Sequence, residues 1–230
     1  MAEVIWKNAS YEVPFGADNP GLEGAPTGAY GYRVLKRAMD CIGAGIGLLL
    51  LSPLFAVIAV LIKLESPGPV LFSQTRIGKD GEEFRCWKFR SMFQDAEQRK
   101  QELLQQNEMV GGVTFKMKHD PRVTRVGRFI RKASIDELPQ LWNVFNGDMS
   151  LVGPRPPVPQ EVAQYTTHER QRLAVKPGIT CIWQVSGRSD IPFNEQVLLD
   201  IEYIRSQSLW LDISLLLRTI PAVLLARGSY

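Results

Sequence analysis

The chain has 230 residues, 27 Lys and Arg against 24 Asp and Glu, and a formal net charge of +3. That excess is too small to argue for nucleic acid, and a mean hydropathy of -0.09 describes a soluble-type chain once its longest apolar run is set aside. Two histidines and three scattered cysteines (Cys41, Cys86, Cys181) supply neither a histidine zinc site nor a disulfide framework, which fits a reducing compartment.

Residues 1–28 carry Pro14, Gly16, Pro20, Gly21, Gly24, Pro26 and Gly28 without apolar periodicity, the pattern of a loosely ordered tail. In residues 31–40 (GYRVLKRAMD), Val34, Leu35 and Met39 sit among basic side chains. Residues 41–62 then run 22 positions without a charge, with Ser52-Pro53 in the middle. As a helix that run is about 33 Å long, enough for a hydrocarbon core of about 30 Å. It starts too deep and is too long for a secretory signal. Pro53 lacks an amide hydrogen and its ring strikes the carbonyl four residues back. A kink is therefore predicted there, with the Ser52 hydroxyl at hand for the freed backbone group. Arg33, Lys36 and Arg37 precede the run, and Lys63, Arg76 and Lys79 follow it. The positive-inside rule favours neither orientation of a single span and is better met if the helix enters, bends and leaves by one face. On these features alone, re-entry and a plain single pass are evenly matched.

Ser66-Pro67-Gly68-Pro69 stops the helix. Two strand-like runs follow, PVLFSQTRIG and EEFRCWKFRSM, joined through Asp80-Gly81, a hairpin signal. Residues 94–108 read as a polar helix. A second helix, RVTRVGRFIRK, is predicted with Asp120 as cap and Pro121 at its first position, and a third over 134–145. Residues 146–159 are turn-rich, 160–175 helical, PGIT at 177–180 a turn and CIWQVSG a strand. The end, 194–227, reads as one long helix or two. Its apolar stretch is broken by Asp212, Arg218 and Pro221, which suits a helix lying in a membrane interface better than a span.

The sharpest chemical site is Ser134-Ile135-Asp136-Glu137. Ser134 and Glu137 have capping-box spacing, so an arbitrary S-x-D-E is mostly a helix start whose acids complement the dipole. The surroundings argue for more. Arg122, Arg125, Arg128 and Arg131 recur every three residues, one stripe on a helix, and lead into the acid pair. A stripe of this kind is usually a solvated face. Downstream, Arg155 lies between Pro154 and Pro156, which limit where its guanidinium can point. Prolines around an arginine can be no more than a rigid turn, yet the planar fork also suits phosphate. A pre-positioned arginine beside two carboxylates is a set for phosphoryl chemistry. The acids suit a hard divalent cation, and one of them is a candidate nucleophile.

FRCWKFRSM (84–92), SIDELPQLWNV (134–144), GDMSLVGPRP (147–156) and KPGITCIWQVSGR (176–188) together resemble the bacterial sugar transferase family, the monotopic phosphoglycosyl transferases. The resemblance runs from about residue 31 to about 225. It implies an α+β fold: a re-entrant membrane helix broken at Ser52 and Pro53, then a mostly helical cytoplasmic catalytic domain with a short β-hairpin and amphipathic interfacial helices. The implied plan is a flexible tail over 1–30, the membrane helix over 31–65, and the catalytic domain over 66–230. The implied activity is transfer of hexose-1-phosphate, glucose or galactose first, from a UDP-sugar to undecaprenyl phosphate with release of UMP. That step opens exopolysaccharide, capsule or O-antigen assembly at the cytoplasmic face of the bacterial inner membrane. By the same resemblance Asp136 is the nucleophile and Glu137 assists, both with Mg2+. Arg131, Arg155 and Lys88 bind phosphate, and Gln184 and Arg188 border the donor. Downstream glycosyltransferases are the implied partners, a homodimer is compatible, and no nucleic acid is expected. The tail leaves no room for the extra multi-helix membrane domain of many relatives, so a minimal member is expected. Cys181 stands where many members have glycine, a departure expected to alter backbone freedom near the donor site. Two other readings remain open: a non-catalytic membrane adaptor, and a direct-transfer enzyme whose acids only hold metal.

Overall fold

The computed structural model describes residues 30–96, 98, 99, 120–187 and 191–224. The N-terminal tail, Arg188 and most of the predicted 94–108 helix lie outside them. Within that segment, Arg99 N donating to Asp95 O at 3.1 Å is a helical bond.

Helix α1 spans Tyr30–Glu65 with Pro53 inside it. Pro53 has no N–H to give the Leu49 carbonyl four residues back. Ser52 Oγ donates to that carbonyl instead, at 2.8 Å, which is the role expected of the Ser-Pro pair. Only 11% of the helix's most apolar window is buried against the rest of the chain. Ile42, Ile46, Leu49, Leu50, Val57 and Val60 face outward, while Ala44, Ile58 and Ile62 pack inward.

The globular part is fastened to both ends of α1. Near its start, Lys36 Nζ meets Asp212 Oδ2 at 2.8 Å, and Arg37 donates to the carbonyls of Val144 and Phe145, each at 2.7 Å. Asp40 accepts from Ser150 Oγ at 3.0 Å and Leu151 N at 2.9 Å. Near the other end, Glu65 accepts from the amides of Arg125 (2.6 Å) and Val126 (2.9 Å), and Arg90 donates to Ser66 O at 2.8 Å.

Strands β1 (Leu71–Ile77) and β2 (Glu83–Phe89) form the predicted antiparallel hairpin. Asp80 (φ 57) and Gly81 (φ 86) both take the left-handed conformation that a type I′ turn demands. The register sets Phe72 opposite Lys88, Gln74 opposite Cys86 and Arg76 opposite Phe84, so these six side chains share one face.

Helix α2 is Arg125–Lys132, four residues later than predicted. Its cap is Thr124, whose side chain accepts from Gly127 N at 2.8 Å. Asp120 is unavailable as a cap because Arg122 folds back on it at 2.7 Å, and both side chains are buried. Arg122 thus leaves the expected stripe, which keeps Arg125, Arg128 and Arg131. The predicted helix over 134–145 is also corrected. Ser134 is left-handed (φ 54) and its side chain caps nothing. A 3-10 turn, Ile135–Glu137, precedes α3 (Gln140–Asn146).

Strands β3 (Ser150–Val152) and β4 (Gly178–Thr180) pair in parallel, where the sequence suggested only turns. Contact there is backbone on backbone: a Cβ at Gly178 would sit 2.0 Å from Gly153 N. The 160–175 stretch is two single turns, α4 (Pro159–Val162) and α5 (Thr167–Arg170), and a 3-10 segment, Gln171–Ala174. CIWQVSG is helical rather than extended, as α6 (Ile182–Ser186). Ile182 and Val185, three apart, both pack on the cluster of Val152, Tyr203, Ile204 and Leu215. The C-terminal stretch resolves into two helices, α7 (Phe193–Ser206) and α8 (Leu209–Leu224). The architecture is α+β and mostly helical, as expected. Asp212, read as a break in an apolar run, is fully buried, with Tyr203 OH donating to it at 2.7 Å.

Candidate active site

Three pieces of chain converge on one open cleft. Strand β2 brings Lys88 and Cys86, the 3-10 turn before α3 brings Glu137, and the loop after β3 brings Arg155. Arg76, Gln140, Pro156, Gly178 and Ile179 complete its lining. Local structure explains each placement. Asn143 on α3 accepts from Trp87 N at 3.0 Å and donates to Arg85 O at 2.7 Å, which locks the helix to the edge of β2. The Gly153–Gly178 contact and the bond from Gly178 N to Pro154 O (2.8 Å) fix the loop that carries Arg155.

Lys88 Nζ lies 2.6 Å from Glu137 Oε1, and Arg155 approaches the same oxygen at 3.4 Å. Burial alone would raise Glu137, but the charges of Lys88 and Arg155 outweigh it and hold the carboxyl well below its usual range. Asp136 behaves in the opposite way. It is 9% exposed, and among the described residues nothing hydrogen-bonds to its carboxylate. Burial pushes it from 3.8 up to about 6, with the Glu137 charge adding to the rise and Lys88, Arg131 and Arg155 opposing it. Two adjacent acids therefore differ, one pinned and ionised, the other loose and close to neutral pH in its titration.

Of the residues singled out from sequence, Lys88, Glu137 and Arg155 meet directly and Asp136 is the immediate neighbour. Arg131 acts on Asp136 through its charge, without a hydrogen bond to it. Gln184 is not part of the cleft lining, since its Oε1 accepts from Cys181 Sγ at 3.1 Å. Arg188 lies outside the described residues. Cys181 has φ -149, extended backbone that any residue adopts. Its thiol is buried, and burial raises it well above the ordinary range.

In the sequence Arg76 reads only as a charge flanking the apolar run. Counting pairs outward from Asp80-Gly81 would set it opposite Arg85 on the other face; the five-residue connection 78–82 shifts the register by one, pairing Arg76 with Phe84 on the face of Cys86 and Lys88.

As to a metal, no group of three or more His, Cys, Asp or Glu occurs among the described residues, so no all-protein cage is built. Asp136 and Glu137 do fit the smaller donor set that magnesium uses, one or two carboxylates plus substrate phosphate.

The family described as bacterial sugar transferase matches residues 31–226. A galactosyl transferase of Streptococcus agalactiae serotype III is 49% identical over 87% of this chain and 44% of its own length. An exopolysaccharide production protein of Rhizobium meliloti is 42% identical over 85% of this chain and 88% of its own. The UDP-glucose:undecaprenyl-phosphate glucose-1-phosphate transferase of Escherichia coli is 42% identical over 86% of this chain and 42% of its own. The chain thus spans less than half the length of the streptococcal and Escherichia relatives.

Proposed function

Because this chain belongs to the bacterial sugar transferase family, we propose that it moves a hexose-1-phosphate from a UDP-sugar to undecaprenyl phosphate. The observation that carries the reading is the split acid pair: Glu137 pinned by Lys88 and Arg155, with Asp136 beside it unbonded. Galactose and glucose are the favoured sugars, in keeping with the activities for which the streptococcal and Escherichia relatives are named.

In the first half-reaction a carboxylate oxygen of Asp136 bonds to the phosphorus that bears the sugar. The bridging P–O bond breaks, and UMP leaves with its electron pair. In the second, a phosphate oxygen of undecaprenyl phosphate attacks the same phosphorus and Asp136 is regenerated. A carboxylate free of hydrogen bonds keeps its lone pairs for attack, and its raised pKa makes it the more basic nucleophile. Lys88 and Arg155 stand ready to offset charge on the transferring phosphate, at no cost of reorganisation. Asp136 and Glu137 would hold Mg2+, whose charge offsets that of the diphosphate.

The way α1 is fastened supports a re-entrant placement in the membrane. Lys36 and Asp40 at its start and Glu65 at its end all bond to one globular body. A bilayer cannot lie between those ends without dividing that body, which favours entry and exit by the same face. The unburied flank of α1 faces lipid. Trp210, Ile213, Leu217 and Ile220 of α8, spaced three, four and three apart, form an exposed apolar stripe suited to the interface. We place the protein at the cytoplasmic face of the bacterial inner membrane, where exopolysaccharide, capsule or O-antigen assembly begins.

UMP release by the detergent-solubilised protein with undecaprenyl phosphate and magnesium, across a panel of UDP-sugars, tests the reading. Release with one hexose, lost in Asp136→Asn, is the expected result. A folded protein that releases nothing from any UDP-sugar would refute it.

A further inference from the structure

Building on the transferase reading, we propose that Arg76 is a phosphate-binding residue of the transfer site and also the strut that presents Arg155. Its position follows from the hairpin. Opposite Phe84 in the register, Arg76 shares the face of Cys86 and Lys88, and its side chain crosses to the loop after β3. There Nη1 donates to the Pro156 carbonyl at 2.9 Å, one residue past Arg155. The next residue, Ile77, donates its amide to Pro157 O at 2.9 Å. Two adjacent residues of β1 thereby hold the Pro154–Pro157 turn.

A strut needs no more than that, and Arg76 offers more. Its Nη2 is taken by Gln74 Oε1 at 2.8 Å, but its Nε is buried with no acceptor among the described residues. A buried guanidinium N–H without an acceptor is costly, and in a cleft lined by cations it leaves a donor that a ligand oxygen could take. Charge points the same way. Arg76, Lys88 and Arg155 line one cleft whose lining holds a single carboxylate, Glu137, already engaged by Lys88 and Arg155. Burial and the nearby Arg155 charge both work against the Arg76 cation. A phosphate dianion would relieve that repulsion and take the free N–H in a charge-assisted bond. The phosphate belongs to either the donor's diphosphate or the lipid acceptor, and the two are separable by measurement.

The test uses the full chain in detergent, with UDP as a binding probe and initial rates in both substrates. Arg76→Gln is expected to weaken UDP binding about 10- to 100-fold, the scale of one lost charge-assisted bond. Arg76→Lys should recover part of that loss, because it keeps the charge without the fork. UDP binding left intact with a comparable rise in KM for undecaprenyl phosphate alone would assign Arg76 to the acceptor phosphate. Native affinity for both substrates in a folded Arg76→Lys or Arg76→Gln protein, with only kcat reduced, would overturn phosphate binding and leave a strut. Native protein that binds UDP but is never labelled by donor would defeat the covalent route and not this assignment.

Discussion

The Lys88 ammonium sits 2.6 Å from the Glu137 carboxylate, and that one pair separates the behaviour of two consecutive acids. Glu137 is drawn into the wall of the cleft as a permanent anion. Asp136, on the preceding position of the same 3-10 turn, is left buried, its carboxylate without a hydrogen bond among the described residues. Paired acids with separated titrations recur where one carboxylate must react and the other must stay charged.

The pH dependence of kcat/KM should therefore show an acid limb set by Asp136, whose burial raises it above the ordinary carboxylate range. Glu137 raises Asp136 and Lys88 lowers it, so the two variants should move the limb in opposite directions. Glu137→Gln shifts the limb to lower pH and Lys88→Met shifts it higher, whatever either does to the maximum rate. A limb that stays put in both variants would remove Asp136 as its source.

Stability should record the same strain. The folded-state pKa of Asp136 is raised above its unfolded value. The carboxyl therefore contributes fully only below 3.8, and that contribution is lost as pH rises through about 6. The loss at neutral pH is about 3 kcal/mol at most. Asp136→Asn carries no charge to desolvate. It should unfold at higher temperature than the native chain at pH 7.5 and at nearly the same temperature at pH 4. Thermal scans at the two pH values check this.

At the other end of the molecule, Lys36 and Tyr203 converge on buried Asp212 and join α1 to α8. Asp212→Ala leaves a largely buried ammonium without its anion, a change that costs about 3–5 kcal/mol. The expected result is a large fall in thermal midpoint. Lys36→Met combined with Asp212→Leu should restore much of it, since the uncompensated charge is then gone.

Gly178→Ala is predicted to abolish activity by a route unrelated to charge. The added Cβ would meet Gly153 N at 2.0 Å, forcing β3 from β4 and with it the turn that carries Arg155. UMP release should fall to background while circular dichroism keeps its helical content.

Much of this was legible in the sequence where local chemistry is decisive. Asp80-Gly81 specifies a turn that few other pairs can make. Pro53 frees one identifiable carbonyl, and Ser52 is the nearest donor to it. Signals failed where a tertiary or competing contact overruled them. Ser134 had the spacing of a cap, but the chain turns left-handed there to bring Asp136 and Glu137 under β2. Asp120 looked like a helix start until Arg122 captured it. The apolar, β-branched run of CIWQVSG read as strand, yet its Ile182 and Val185 meet one cluster only on a helix. Arg76 was counted as a charge flanking a membrane segment, because its part in the cleft exists only once β1 and β2 are paired.

The most direct measurement is to incubate the protein with UDP-hexose labelled with 32P at the sugar-bearing phosphate, without any lipid acceptor. The account predicts label bound to the protein, UMP released in equal amount, chase of the label into lipid when undecaprenyl phosphate is added, and none of this in Asp136→Asn. Labelled lipid formed at full rate while the protein never carries label would contradict it and leave Asp136 and Glu137 with a direct transfer.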